Sequence, residues 1–283
     1  MNFKLKIHKQ QFELRKGTKM GKAIVITSGK GGVGKTTVTV NVGAALAKSG
    51  KNVLLIDADL GLRNLDLMLG VENRIVYDIV DVLEGRCRVR QAVVKNKRNE
   101  RLALLPASQT KNKDAIKPGQ LKMLISELRN SYDYILIDCP AGIEQGFSNA
   151  IEGAEEAIIV CTPEISSVRD ADRVAGLLAV SEVDSVHLVV NRVKQELIRK
   201  REMMSVSDVE EILGISAIGA VPEDPAVVRA ANLGEPLVYA LHSHAGNEYL
   251  KIARKIMGVR EIDNTKNSVS AWFDRLFGTK EAG

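Results

Sequence analysis

Ser28-Gly29-Lys30-Gly31-Gly32-Val33-Gly34-Lys35-Thr36-Thr37 is the stretch that decides the fold of this 283-residue chain. Its spacing, Gly29, four residues, then Gly34-Lys35-Thr36, is that of a loop whose glycines let backbone N–H groups close around phosphate oxygens. Lys35 is placed to reach the β and γ phosphates, and Thr36 to hold a magnesium ion through its hydroxyl. A helix opening near Gly34 adds the favourable end of its dipole to a bound anion. Lys30 is surplus to one triphosphate. It is free to serve a phosphate held elsewhere, such as one bound by a second subunit.

Outward from the loop, Ala23 to Thr27 is a short β-branched apolar run, and Thr37 to Lys48 carries helical spacing through Val38, Val42, Ala45 and Leu46. Strand, glycine loop and helix follow in the order a phosphate-binding loop requires. Similar runs recur at Val53 to Ile56, Leu102 to Leu105, Tyr134 to Ile137, Ala157 to Cys161, Val186 to Val190 and Ala217 to Val221. Each is nearly all apolar, as in strands covered on both faces. Helical patterns alternate with them at Ile75 to Glu84, Pro118 to Arg129, Gln145 to Ala150, Val168 to Val180, Ser207 to Leu213 and His244 to Met257. This alternation predicts an α/β fold, a three-layer, doubly wound and mainly parallel sheet of the P-loop NTPase type.

An apolar fraction of 45% suffices for a sizeable core, and 283 residues suit one large domain. The longest apolar runs fall far short of the ~20 residues of a membrane span. Cys87, Cys139 and Cys161 are few, odd in number and without CxxC spacing, as expected in a reducing cytoplasm. The net charge of +5 lies entirely in residues 1–20, where Lys4, Lys6, Lys9, Arg15, Lys16 and Lys19 face Glu13 alone. The rest is balanced, so bulk charge gives no argument for nucleic-acid binding and none specific is expected. The leader reads as a disordered basic extension or as an acid-poor organelle-targeting segment.

Three aspartates complete the chemistry. Asp138 ends the run from Tyr134, where a carboxylate supports the magnesium shell of a bound nucleotide. Asp57 and Asp59 follow the Val53 run and should emerge on the same active edge. One aids the metal while the other orients a water. Hydrolysis of a γ-phosphate needs an in-line water and charge stabilisation rather than a covalent intermediate, so two lysines, a metal and a positioning carboxylate suffice.

The loop from Lys30 to Thr37 resembles the deviant Walker A motif of a superfamily of dimeric ATPases. Asp57 to Asp66, Leu105 to Thr110, Asp138 to Glu144 and Pro163 to Arg173 are similar to the MinD family of division-site ATPases within it, over about residues 20–257 and in a recognisable tail. The resemblance implies ATP and Mg2+ as ligands, bound by Gly29, Lys30, Gly31, Gly32, Val33, Gly34, Lys35, Thr36 and Thr37. It implies that Lys30 crosses a nucleotide-sandwich homodimer to the partner's phosphates, that Asp59 positions the attacking water and that Asn64 lies in the adjoining switch. Thr36, Asp57 and Asp138 would stand at the magnesium, and Asn191 with Pro222 and Asp224 at the adenine. Glu164, Ser166, Asp170 and Asp172 match a surface for a MinC-like division inhibitor and a MinE-like or other topological regulator. A ParA-type DNA-segregation ATPase, a flagellar-number ATPase and an iron–sulfur carrier ATPase stand as alternatives.

The tail carries a further signal. Val269, Trp272, Phe273, Leu276 and Phe277 fall at i, i+3, i+4, i+7 and i+8, a complete apolar helical stripe holding the only Trp. Helices this short rarely persist alone in water, and Trp and Phe favour the bilayer interface. The chain therefore divides into an extension at 1–20, an ATPase domain at 21–258, a polar linker at 259–267 and an amphipathic membrane-targeting helix at 268–278. The expected location is cytoplasmic and peripheral at the inner face of the cell membrane, or the plastid stroma if the leader is a targeting segment.

Overall fold

The computed structural model describes residues 20–61, 63–111, 115–239 and 243–259. The leader before Met20, the linker after Val259 and the stripe of Val269, Trp272, Phe273, Leu276 and Phe277 lie outside the described residues.

The strands are β1 (Lys22–Thr27), β2 (Val53–Asp57), β3 (Val94–Lys95), β4 (Leu102–Leu105), β5 (Tyr134–Asp138), β6 (Glu156–Cys161), β7 (Ser185–Val193) and β8 (Ala217–Pro222). They form one sheet in the order β3-β4-β2-β5-β1-β6-β7-β8, parallel except where β3 runs antiparallel to β4. The sheet carries helices on both faces, as the alternating pattern predicts. The helices are α1 (Lys35–Lys48), α2 (Leu65–Leu69), α3 (Ile79–Leu83), α4 (Val89–Ala92), α5 (Gln120–Leu128), α6 (Gln145–Ile151), α7 (Ile165–Ala179), α8 (Gln195–Arg199), α9 (Val206–Leu213), α10 (Pro225–Asn232) and α11 (His244–Ile256).

Period-two alternation divides each central strand between two cores. Ala23, Val25, Leu54, Ile56, Ile135 and Ile137 face a core with α5, α6, α7 and α9. Ile24, Ile26, Val53, Leu55 and Leu136 face the opposite core with α1, α2 and α11. Both sides of every central strand are therefore dry, which is why these strands read as unbroken apolar runs rather than alternating ones.

Some boundaries differ from the sequence reading. The helix expected from Ile75 begins only at Ile79, because Asp78 takes an extended backbone and accepts hydrogen bonds from the N–H groups of Val80 (2.8 Å) and Asp81 (3.1 Å). The short α2, α4 and α8 and the two-residue β3 carry too few turns or pleats for periodicity to reveal them, and the eight-residue α10 is a helix the sequence reading did not assign.

The central strands are what hold the active edge in place. Leu136, fully buried in β5, should lose about 2–5 kcal/mol of stability on replacement by alanine, since the tight core cannot collapse into the cavity. Urea unfolding should show a lower midpoint at an unchanged m value.

Candidate active site

The ends of β1, β2 and β5 meet where the glycine loop turns into α1. In the parallel register Asp57 of β2 pairs directly with Asp138 of β5, and Ile26 of β1 pairs with Asp138 from the other side. Two carboxylates are thereby fixed side by side at the base of the loop. Asp138 is fully engaged: it accepts from Lys35 Nζ (3.1 Å), Thr36 Oγ1 (2.7 Å) and Thr39 Oγ1 (3.1 Å). Burial alone would lower the pKa of Lys35, but the charge and hydrogen bond of Asp138 outweigh it and hold the ammonium above its ordinary value.

Asp57 sits in a different balance. Its Oδ1 accepts the Asp59 backbone N–H at 3.0 Å, while Oδ2 is buried without a hydrogen-bond partner. Burial, reinforced by the Asp138 charge, pushes its carboxyl up to about 8. An orphaned carboxylate oxygen beside a second carboxylate and the Thr36 hydroxyl is a donor set suited to a hard divalent cation that completes its shell with phosphate oxygens and water. The residues therefore fit magnesium. Thr39 is a site residue that the sequence reading missed, although it stands one helical turn beyond Thr36 on the same face.

The loop is shaped for close backbone approach. Gly34 has φ of +95°, and a Cβ there would lie 2.3 Å from Asn191 Nδ2. At Gly29 a Cβ would lie 2.2 Å from the Asp170 carbonyl oxygen on α7, so only glycine lets the loop rest on that helix. Lys35, Val33 and Gly34 line the inner wall, whereas Lys30, Gly31 and Gly32 are exposed. The first turn of α1, with Thr36 and Thr37, has neither a side-chain cap nor an acidic residue, leaving its N-terminus suited to an external anion.

The two lysines diverge. Lys35 is buried and ion-paired, while Lys30 is exposed, its Nζ donating to Ser166 Oγ at 3.3 Å. Ser166 lies at the start of α7 next to exposed Glu164. Asp170, whose backbone supports Gly29, and exposed Asp172 follow on the same helix. The loop after β2 carries Asp59, half-buried, and exposed Asn64. It is tied to the loop after β4 through Gly61 N–H donating to the Ser108 carbonyl at 2.9 Å, and it is closed by a partly buried Arg63–Asp66 ion pair at 2.6 Å.

On the other side of the glycine loop lies a cavity of about 280 Å3 whose lining includes Gly34, Thr37, Asn191, Pro222 and Asp224. Asn191 Nδ2 donates to the Val33 carbonyl at 2.8 Å, which ties β7 to the loop. The Asp224 carboxylate caps α10 through Ala226 N–H (2.8 Å) and also accepts from Ser243 Oγ (3.0 Å). Its acid function is thus spent on structure. Cys139 and Cys161 are fully buried, and burial pushes both thiols up to about 12. They are inert core residues in this fold.

A cradle for phosphates, a carboxylate pair for magnesium and an adjoining cleft define a P-loop nucleotide-binding protein. A family model described as an AAA domain matches residues 21–181. The septum site-determining protein MinD of Bacillus subtilis (strain 168) is 48% identical, the match covering 92% of this chain and all of that protein. The chain is similar in structure to a MinC:MinD cell division protein complex from Aquifex aeolicus, with TM-score 0.80, 51% identity and coverage of 86% of this chain and 97% of that one. It is also similar to MinD of Pyrococcus horikoshii OT3 complexed with Mg-ADP, with TM-score 0.77, 32% identity and coverage of 88% and 98%. The chain belongs to the MinD family of septum site-determining ATPases.

The Asp57 environment generates a pH prediction. Its folded pKa of about 8 exceeds the ordinary 3.8, so between those values the folded protein binds the extra proton and stability falls as pH rises. Above about 8 this component stops changing. Asp57→Asn places an amide where the proton would sit, and should raise the nucleotide-free melting temperature at pH 8 by a few degrees while flattening the pH profile between 5.5 and 8. Differential scanning calorimetry without magnesium or nucleotide checks this.

Proposed function

We propose that the protein is an ATP-dependent dimerising, membrane-cycling ATPase that places the division septum by recruiting a division inhibitor, and that hydrolysis of ATP to ADP and phosphate releases it from the membrane. The observation that carries this reading is the opposite placement of the two loop lysines. Lys35, buried and held by Asp138, serves the phosphates of its own loop; Lys30, exposed, serves those of a second copy. One triphosphate between two such loops gains a cation from each chain, so ATP holds the dimer together.

Gly29 to Thr37 cradle the phosphates, while Asn191, Pro222 and Asp224 form the adenine end of the cleft. Thr36, Asp57 and Asp138 would hold magnesium, which when bound draws charge from the β and γ phosphate oxygens. The relative complexed with Mg-ADP supports a nucleotide and magnesium as the ligands. Asp59 orients the attacking water from a loop that hydrogen bonds and the Arg63–Asp66 pair hold against its neighbour. Asn64 belongs to that switch. Its position on the surface lets a regulator reach it.

Glu164, Ser166, Asp170 and Asp172 form the surface for a MinC-like inhibitor and for a MinE-like or other regulator that stimulates hydrolysis. The MinC:MinD complex of a relative supports the first partner. Because α7 supports Gly29 and bonds Lys30, contact there is transmitted directly to the phosphate loop. Membrane attachment falls to Val269, Trp272, Phe273, Leu276 and Phe277, in keeping with a peripheral location at the inner face of the cell membrane. One such helix binds lipid marginally, whereas two on an ATP-held dimer gain avidity of roughly 10²–10⁴.

Co-sedimentation with anionic liposomes tests the cycle. Wild type should pellet with ATP and not with ADP, and its ATPase rate should rise with liposomes and regulator. Lys30→Ala and the double variant Trp272→Ala with Phe277→Ala should both lose the ATP-dependent fraction. Equal pelleting with ATP and ADP would falsify the switch; salt-sensitive, ATP-dependent retention on duplex DNA without lipid binding would favour the DNA-segregation reading instead.

A further inference from the structure

Both ends of the described domain lie on one edge of the sheet, and that edge is basic. The parallel strands all begin on the side opposite the glycine loop. Residues 1–20, which hold the net charge of +5, join the domain there, where Gly21 N–H donates to the Arg129 carbonyl at 2.9 Å just ahead of β1. α11 starts at the far end of β8, where Ala245 N–H donates to the Asp224 carboxylate at 3.3 Å, and passes Gly219 with Ile252 on its way back. Its last turn carries Arg254 and Lys255 and brings Val259 to the same edge.

The edge also holds the turn after α1, with Lys51, and the β3–β4 hairpin turn, with Lys97, Arg98 and Arg101. Arg101 closes on β2, its carbonyl accepting Val53 N–H at 2.7 Å and its guanidinium donating to Asn52 at 3.2 Å. The acids on this side are matched within the domain: Glu235 pairs with Arg98 at 2.5 Å, Glu100 pairs with Lys95 at 3.3 Å, and Asp133 accepts Asn52 N–H at 2.7 Å. Lys51, Lys97, Arg254 and Lys255 have no ion pair or side-chain hydrogen bond among the described residues, and all but half-buried Lys51 are exposed. On the other face of the sheet Glu155 and Glu156 pair with Arg129 and Lys22, leaving the acids Glu127 and Asp184. Positive charge is thus gathered on the face of α1 and α11.

Four cations spread over three separate turns form no cleft, so they suit a flat, extended polyanion rather than a small ligand. The adjoining tail points to a bilayer. Residues 260–283 balance four basic side chains with four acidic ones, so the apolar stripe read in the sequence brings no net charge of its own. A short apolar anchor binds lipid marginally, and stable attachment takes a second signal, such as a basic patch drawn to anionic head groups. We propose that this edge is an interaction surface for anionic lipid head groups, with Lys51, Lys97, Arg254 and Lys255 supplying the charge that the tail lacks. The proposal rests on the membrane reading above and adds to it a part of the folded domain.

Co-sedimentation of the full chain with Mg-ATP tests this on vesicles of phosphatidylcholine alone and of phosphatidylcholine mixed equally with phosphatidylglycerol. The quadruple variant Lys51→Gln, Lys97→Gln, Arg254→Gln and Lys255→Gln should bind the mixed vesicles at least about tenfold more weakly than wild type, since each cation near such a surface contributes about fivefold. The pair Lys51→Gln with Lys97→Gln and the pair Arg254→Gln with Lys255→Gln should each show part of that loss. High salt should erase the difference. On phosphatidylcholine alone the variants and wild type should be equal, and unchanged melting temperatures with and without Mg-ADP separate lost attraction from lost fold or lost nucleotide. A control that neutralises Arg88, Arg90, Lys117 and Lys200, exposed cations elsewhere on the domain, should pellet as wild type does. Undiminished binding of mixed vesicles by the quadruple variant, or an equal loss in the control, overturns the proposal. So does lost retention on duplex DNA with vesicle binding intact, which assigns the edge to nucleic acid. A wild type that pellets with neither vesicle overturns the membrane reading itself, whereas wild-type binding matched by the quadruple variant overturns only the role of this edge.

Discussion

Parallel register sets the two carboxylates Asp57 and Asp138 opposite one another at the ends of adjacent buried strands, and much of the active edge is arranged around that conflict. Two anions in a dry location cannot both remain charged without compensation. Asp138 is compensated within the chain, by Lys35 and the hydroxyls of Thr36 and Thr39. Asp57 is left with one buried oxygen unmatched and a carboxyl that favours its proton. The nucleotide-free site is therefore incomplete in a defined sense. A divalent cation is what would balance it, so the instability of the pair is the capacity of the site.

The same logic explains why two lysines five residues apart in one loop differ so sharply. Lys35 lies on the first turn of α1, against the sheet, where a buried ammonium survives only because a buried carboxylate faces it. Lys30 lies at the loop's outer turn, where water supports its charge and its one side-chain contact is the exposed Ser166 hydroxyl. Burial assigns one lysine to the loop's own cleft and leaves the other to the surface. A glycine loop of this length can present both because Gly29 and Gly34 allow backbone approaches that a Cβ would block.

Coupling between the loop and α7 follows from those approaches. The Asp170 carbonyl lies where the Gly29 side chain would be, and Ser166 receives the Lys30 ammonium. A helix whose exposed residues are proposed to meet a regulator is thus in van der Waals and hydrogen-bond contact with the phosphate loop. No long relay is needed. The packed interior resists gradual deformation, so a small displacement of α7 is felt directly at the loop.

Sequence alone determined the features that depend on local pattern. The order of strand, glycine loop and helix, the doubly wound class and the candidate roles of Lys35, Thr36, Asp57 and Asp138 were legible because residue type, spacing and strand ends carry them. The resemblance assigned Lys30 to a partner's phosphates and Asp59 to the attacking water, and added the α7 surface. Tertiary structure decided what depends on neighbours distant in the chain: that Asp57 rather than Asp138 keeps the orphaned oxygen, that Thr39 joins the carboxylate cluster, that Asp224 spends its charge on capping, and that a bulge in β7 turns Arg192 outward. Each of these is settled by strand register or burial, and neither is written in local periodicity. A carboxylate at a strand end announces a site, but only the strand packed beside it determines whether that carboxylate is satisfied.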